Sequence, residues 1–394
     1  MKEIATAPAG APSAEEAEAK VFLPVYHHLD LEVERGEGVY VFTADGRRYL
    51  DLYGGHAVAI FGYGHPQLVR TLDEQARSLF FQSNAVPLQV RAAAGRKLIG
   101  ISPPGLDKVF LINSGAEANE NALRLAFRRN PGRQRVVAIE GAFHGRTAGA
   151  AAITANSSRW YAFPHKPFEV DYVPRGDAQA LRRAMTEEVA ALIVEPVQGQ
   201  AGAFALGKEF LEAGRAAADA CGAVYIFDEV QCGMGRMGAP LAATFYGVTP
   251  DIVTLGKGIA GGFPAAAVLT KPEVASGLGV GDLGTTFGGG PLACALISTV
   301  VDCLRTENIC ANVREISAYI RETCRIGPVL DIQGEGLLLG LRTAAPGKLL
   351  QNALLERGIL TGSAGDPHIV RLLPPLTLQR EHVDQLIEAL REIG

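Results

Sequence analysis

"AVYIFDEVQCGMGR", residues 223–236, opens on five apolar residues in a row and closes on two carboxylates and a glycine-containing turn. A strand with one face in water alternates apolar and polar positions, whereas a strand that is apolar throughout needs cover on both faces. The same texture recurs between about residues 108 and 270, in "KVFLIN" (108–113), "RVVAIE" (135–140), "ALIVEP" (191–196), "DIVTLG" (251–256) and "AAAVLT" (265–270). Between these runs lie segments such as "AEANENALRLAFRRN" (116–130) and "EFLEAGRAAADACG" (209–222), with apolar residues at helical spacing. Buried strands alternating with amphipathic helices predict an α/β fold with a mostly parallel sheet between helices.

On either side of this stretch the texture changes. Beyond about residue 290 come helical patterns, "LACALISTVVDCLRT" (292–306), "KLLQNALLERG" (348–358) and "EHVDQLIEALREI" (381–393), interleaved with the short strands "LLLGLRT" and "HIVRLLPP". Near the start, "GVYVFTADGRRYLDL" (38–52) reads as a hairpin turning at Asp45-Gly46. The expected organisation is a flexible tail over 1–20, a first part of a small domain over 21–62, a large α/β domain over 63–284, and a C-terminal α+β part over 285–394 that joins the first.

Composition narrows the function classes. The chain has 394 residues, 48% hydrophobic and 20% charged, with a net charge of −5, which describes a globular protein with a large core. No dense run of Lys and Arg suggests a nucleic-acid partner, and no apolar stretch reaches the roughly 18–20 residues of a membrane span. The first twenty residues lack the basic start and apolar core of a secretory signal. The six cysteines (221, 232, 294, 303, 310 and 324) show no CxxC spacing, so reduced thiols in a cytoplasmic protein are expected, and no metal site.

Three stretches could carry chemistry. In "LINSGAEANE" (111–120), Ser114, Gly115 and Ala116 join a strand to a helix, and unpaired amides at a helix start suit either a phosphate or a simple cap. Asp228 and Glu229 end an apolar strand, where α/β sheets open into a ligand crevice, although an acid there can also be a satisfied core group or a cap. In "TLGKGIAGGFP" (254–264), Lys257 follows another strand, 29 positions after Asp228. A lysine withheld from water loses its preference for the charged form, leaving an amine able to form an imine. A phosphate seat, an acid to hold a ring nitrogen protonated and a lysine are the parts needed for pyridoxal 5′-phosphate.

The ordered series "NSGAEANE", "AFHGRT", "EPVQG", "FDEVQCGMGR", "LGKGIAGGFP" and "TTFGGGPLACA" resembles the class III aminotransferases of pyridoxal-phosphate fold type I, nearest the acetylornithine, ornithine and acyl-lysine branch. The resemblance implies a seven-stranded, mostly parallel sheet and a homodimer with shared active sites. It makes Lys257 the Schiff-base lysine and proton carrier, and Asp228 the partner of the pyridine nitrogen. Val230 and Phe143 would sandwich the ring, Gln231 would contact its phenolic oxygen, and Ser114, Gly115 and Ala116 would hold the phosphate, with Thr286 donated from the other subunit. Glu195 would support this network from behind.

The resemblance also assigns Arg146 to the carboxylate of an ornithine-type donor and Arg371 to that of 2-oxoglutarate or glutamate. The chain departs from the family at Gln200, where relatives carry a glutamate that shields the second arginine, at His56 at the substrate mouth, and at Tyr63 and Gly290. The implied reaction moves the terminal amine of an N-acylated ornithine-type donor to 2-oxoglutarate, giving a semialdehyde and glutamate. Alternatives are an ω-aminotransferase for ornithine, 4-aminobutyrate, putrescine or an acylated lysine, an aminomutase or racemase, and a non-enzymatic cofactor-binding protein.

Overall fold

The computed structural model describes residues 13–394. The stretch read as a tail, 1–20, lies outside the described residues up to residue 12; beyond that it carries the helix Ala14–Val21, closed by a Ser13–Glu16 capping box and burying none of its residues.

Seven strands form the central sheet, in the spatial order Lys108–Ile112, Ala266–Thr270, Ile252–Leu255, Val224–Asp228, Val189–Val194, Arg135–Ile139 and Glu169–Val173. Every neighbouring pair is parallel except those of Ala266–Thr270, which runs antiparallel to both neighbours. The doubly apolar reading of the strands has a direct counterpart in packing. Along Val224–Asp228, Tyr225 and Phe227 enter one hydrophobic cluster while Val224 and Ile226 enter a second on the opposite face. The neighbouring strand repeats the pattern, with Leu192 and Val194 on the first side and Ala191 and Ile193 on the second. Side chains alternate across a strand, so two covered faces demand apolar residues at every position, and each large one fully buried contributes about 1.5–3 kcal/mol.

Helix Gly115–Arg129 packs on the second face through Ala118, Ala122, Leu123, Leu125 and Ala126. Helix Lys208–Cys221 covers the first face through Phe210, Leu211, Ala217 and Ala218 and stops at Gly222, whose φ of 69° is the left-handed cap that glycine adopts without strain. The strand Glu169–Val173 was not among the runs singled out in the sequence. It lies at the sheet edge, and its "EVDYV" is too polar for the doubly buried pattern.

The hairpin is present, with Tyr40–Phe42 antiparallel to Arg48–Asp51 and Gly46 at φ 82° in its turn. Ile359–Leu360 runs parallel to Arg48–Asp51, so residues from the two ends of the chain share one sheet. A second four-stranded sheet, antiparallel throughout, orders Val329–Glu335, Leu338–Thr343, Ile369–Leu372 and Gly362–Ser363. Among the described residues no helix is long and apolar enough to cross a membrane.

Candidate active site

The parallel strands all point their C-terminal ends to one side of the sheet, and the loops that leave them carry the residues of interest. A cavity of about 540 Å³ lies there, lined by Tyr26, His56, Gly115, Ala116, Asn119, Phe143, His144, Gly145, Arg146, Glu195, Gln200, Asp228, Val230, Gln231 and Lys257. Eleven of the fourteen expected site residues thus meet around one space although they come from distant parts of the chain; Ser114, Thr286 and Arg371 do not line it.

Lys257 begins a short turn directly after Ile252–Leu255, with φ 49°. A left-handed backbone at a residue bearing a Cβ costs about 1–2 kcal/mol and persists where packing imposes it. Here both flanking glycines are needed. A Cβ at Gly258 would stand 2.4 Å from Ile60 Cγ2, and one at Gly256 would press on Val230 and on the backbone of Gly115. Among the described residues no carboxylate lies within ion-pair distance of Lys257 Nζ. Burial holds its amine below the ordinary lysine value, against the opposing pull of Asp228 and Glu195.

Asp228, 3% exposed, is held on three sides. Its Oδ2 accepts from Asn119 Nδ2 and meets His144 Nδ1, both at 2.7 Å, and its Oδ1 accepts from the amide of Val230 at 3.0 Å. Thr254 donates to Asn119 Oδ1 at 2.8 Å, which fixes the amide so that its NH2 group faces Asp228. Asn119 and His144 had no role in the sequence reading, although both lie inside quoted motifs. The signal was there in the position of His144 between Phe143 and Arg146. Glu229, the neighbouring acid, turns the other way and accepts from the amides of Ala242 and Ala243, where it caps the helix Ala242–Tyr246.

The helix start at Ser114 is a true cap. The Ser114 hydroxyl accepts from the Glu117 amide at 3.2 Å, and the Glu117 carboxylate receives the amides of Asn113 and Ser114. This leaves the amides of Gly115 and Ala116 without a hydrogen bond among the described residues, facing the cavity at the positive end of a 15-residue helix. Ser114 stands beside them with its hydroxyl hydrogen still free to donate, but does not itself line the cavity. Space is tight, because a Cβ at Gly115 would lie 2.7 Å from Val230 Cγ1.

Further polar groups are poised without partners. Gln231 Oε1 and His144 Nε2 are buried and make no hydrogen bond among the described residues. A Cβ at Gly199 would overlap Gln231 Oε1 at 1.6 Å, so that glycine admits the amide. Glu195 lines the cavity directly rather than standing behind it, accepting from the amide of Phe143 at 2.8 Å. Burial raises its carboxyl well above the usual range, with His144 opposing. These groups fit a flat heterocycle bearing a phosphate. Two free amides and a hydroxyl are available to an anion, Asp228 to a ring nitrogen, an unpaired amide oxygen to a ring substituent, and Val230 and Phe143 to the ring.

The two arginines are placed differently. Arg146 is exposed at the cavity, whereas Arg371, in the strand Ile369–Leu372, is 2% exposed and donates to the carbonyls of Ser363 and Gly199. Burial lowers the Arg371 pKa, and no acid forms an ion pair with it among the described residues. The Gln200 backbone carbonyl accepts from Gly365, and its side chain faces the cavity without a hydrogen bond among the described residues. His56 sits in a left-handed turn, φ 65°, against the Tyr53 hydroxyl; burial, then Arg371, Lys257 and Arg146, lower its pKa. Tyr63 donates to buried Asp51 at 2.5 Å, and Gly290 precedes the helix Pro291–Thr306 as its cap residue. Thr286 is exposed and lies outside this cavity. Away from it, His65, Cys303 and Glu307 bring three ligand atoms within 4.8 Å, a grouping accounted for by the 3.2 Å His65–Glu307 pair that ties two helices.

Comparison with known proteins agrees with this geometry. The family described as aminotransferase class-III matches residues 22–393. An acetylornithine aminotransferase of Methanocaldococcus jannaschii is 37% identical over 95% of this chain and 96% of its own. A [LysW]-aminoadipate semialdehyde transaminase of Deinococcus radiodurans is 36% identical over 96% and 89%. The crystal structure of an ornithine aminotransferase from Toxoplasma gondii superposes with a TM-score of 0.90 at 28% identity, covering 95% of this chain and 94% of that one.

Proposed function

The chain belongs to the class III aminotransferases and is a transaminase, and from that premise we propose that it uses pyridoxal 5′-phosphate to move the terminal amine of an N-acylated ornithine-type donor to 2-oxoglutarate. One observation carries the reading: Lys257, Asp228 and the free amides of Gly115 and Ala116 face a single cavity with Arg146 at its edge.

Bound there, the cofactor supplies an aldehyde that captures an amine and a ring that draws electrons from the reacting carbon. The amides of Gly115 and Ala116, with the Ser114 hydroxyl, hold its phosphate. Asp228, whose oxygens accept from Asn119 and the Val230 amide, would hold a proton at the ring nitrogen, and His144 keeps the carboxylate in place. Val230 and Phe143 enclose the ring and Gln231 meets its oxygen. Lys257 Nζ, whose hold on its proton burial weakens, would take a proton from the donor carbon and return it, a role that general acid–base catalysis rewards with about 10²–10⁴ in rate. Arg146 receives the donor carboxylate, since a planar guanidinium donates two parallel bonds to it. Two half-reactions on one site imply ping-pong kinetics.

Arg371, whose Nε and Nη1 are spent on backbone carbonyls, would offer its remaining Nη2 to the carboxylate of 2-oxoglutarate, and with Gln200 in place of an acid no carboxylate shields it in either half-reaction. The side chain of Gln200 makes no hydrogen bond among the described residues, which supports tolerance of ordinary α-amino donors such as glutamate. Restoring the acid with Gln200→Glu is expected to shift preference from glutamate toward N-acetylornithine by about tenfold, the effect of ~1.4 kcal/mol; unchanged donor ratios would remove this reading.

The site is shared in a homodimer, supported by exposed Phe80 and Phe287 beside Thr286, which reaches the phosphate of the partner subunit. Six free cysteines, four of them buried, fit a reducing compartment such as the cytoplasm.

The decisive experiment follows the cofactor absorbance of the loaded enzyme with single amines and no keto acid. Rapid conversion by N-acetylornithine with slow conversion by ornithine and 4-aminobutyrate is the expected result. Faster conversion by an acylated lysine would transfer the reading to the longer donor, in line with the Deinococcus radiodurans relative. Conversion by no amine would overturn it.

A further inference from the structure

Arg146 is held in a different way from the structural arginines of this protein. Arg135 reaches Asp171 and Glu188, and Arg215 bridges Asp219 and Asp251. Arg146 has no acid within 4.0 Å and no hydrogen bond among the described residues; its guanidinium carbon lies instead 5.0 Å from the ring centre of Trp160 and 5.7 Å from that of Phe143. The two rings meet edge to face, with centres 5.8 Å apart and planes at 70°. Trp160, the only tryptophan of the chain, is 38% exposed and is not part of the cavity wall, so it meets the arginine from outside the cavity.

A guanidinium clamped by a carboxylate has spent its donors. One resting on aromatic rings is attracted through its charge and keeps its N–H groups for another partner. A long, exposed side chain would otherwise be ordered anew at each binding event, which weakens affinity for whatever it holds. We propose that Trp160 is a positioning residue: with Phe143 it forms an aromatic shelf that holds Arg146, donors free, where the amine donor's carboxylate arrives. Trp160 thereby sets donor affinity without touching the donor. This rests on the reading of Arg146 as the donor-carboxylate site.

The loss of one such contact predicts a split in the kinetic constants of the holoenzyme. Trp160→Ala raises the KM for N-acetylornithine about three- to tenfold and leaves kcat within about twofold, because the reacting amine and Lys257 are untouched. Trp160→Phe restores KM, the KM for 2-oxoglutarate stays as it was, and amines without a carboxylate, such as putrescine, lose nothing. In the Arg146→Ala background Trp160→Ala adds no further effect, since the shelf then has nothing to hold. A second readout uses the wild-type fold: N-acetylnorvaline, which has the acyl group and carboxylate but no reacting amine, changes the emission of Trp160 saturably, and Arg146→Ala abolishes that change.

An unaltered KM in Trp160→Ala, beside a raised one in Arg146→Ala, overturns the shelf and leaves the Arg146 reading standing. So do effects that multiply in the double variant. An unaltered donor KM in Arg146→Ala overturns both, and the two failures are therefore told apart.

Discussion

Two adjacent carboxylates, Asp228 at the end of its strand and Glu229 just beyond it, do different work because successive side chains leave an extended chain on opposite sides. Asp228 faces the cavity inside a cage of donors, and Glu229 caps a helix behind it. Burial pushes the Glu229 carboxyl up to about 7, against the amides of Ala242 and Ala243 that favour its charge. The sign follows from linkage. Between the ordinary value of 4.5 and about 7 the folded chain keeps a proton that the unfolded chain has lost, so stability falls as pH rises across that window and is level above it. Glu229→Gln removes this titration. The melting temperature of the variant relative to wild type should therefore rise from pH 5 to pH 8, by an amount corresponding to no more than about 3 kcal/mol. Parallel melting curves at both pH values would show that Glu229 does not titrate there.

At the level of elements, the junction between Lys108–Ile112 and Gly115–Arg129 does two jobs at once: it caps a helix and leaves two amides for an anion. Gly115→Ala tests the second job, because the added methyl would meet both Val230 methyl groups within 2.9 Å. We expect a loss of about 1–3 kcal/mol in stability from overpacking, and faster loss of cofactor absorbance on desalting than in wild type. Cofactor retained as in wild type would mean that the cradle lies elsewhere. The junction was readable in sequence, since the serine cap, the glutamate three residues on and the apolar strand before them are local signals. The left-handed turn Gly54–Ala57 was not readable. Two of its four residues, His56 and Ala57, bear side chains that disfavour it, and contacts elsewhere hold it: a Cβ at Gly54 would meet the Leu373 carbonyl at 2.7 Å.

Across the whole molecule, large apolar side chains remain in the open, with Phe80 68%, Phe287 67% and Phe22 67% exposed, and Phe81 packs against Phe287 at 5.4 Å. Burying such a patch against a second copy is worth about 25 cal/mol per Å² of apolar surface. Light scattering should give twice the chain mass of 41.6 kDa for wild type. Phe287→Asp should shift the protein toward the single-chain mass and reduce cofactor retention together, because Thr286 is adjacent. A wild-type protein that is active as a single chain would dismiss the shared site.

Six of the seven strands of the central sheet, the helices named beside them and the α/β class were determined by sequence, because apolar spacing over five to fifteen residues reports directly which faces an element must bury, whereas the polar edge strand Glu169–Val173 gives no such signal. Lys257, Asp228 and the Ser114 turn could be singled out for the same reason, each following a strand that had to be buried. Tertiary structure alone decided that Asp228 meets Asn119, 109 positions away, and His144, 84 away, that Glu229 turns from the cavity, and that Arg146 rests on Trp160 rather than on an acid. These pairings depend on the order and direction in which seven strands are laid side by side, and that order minimises the energy of the whole packed sheet; no local spacing encodes it.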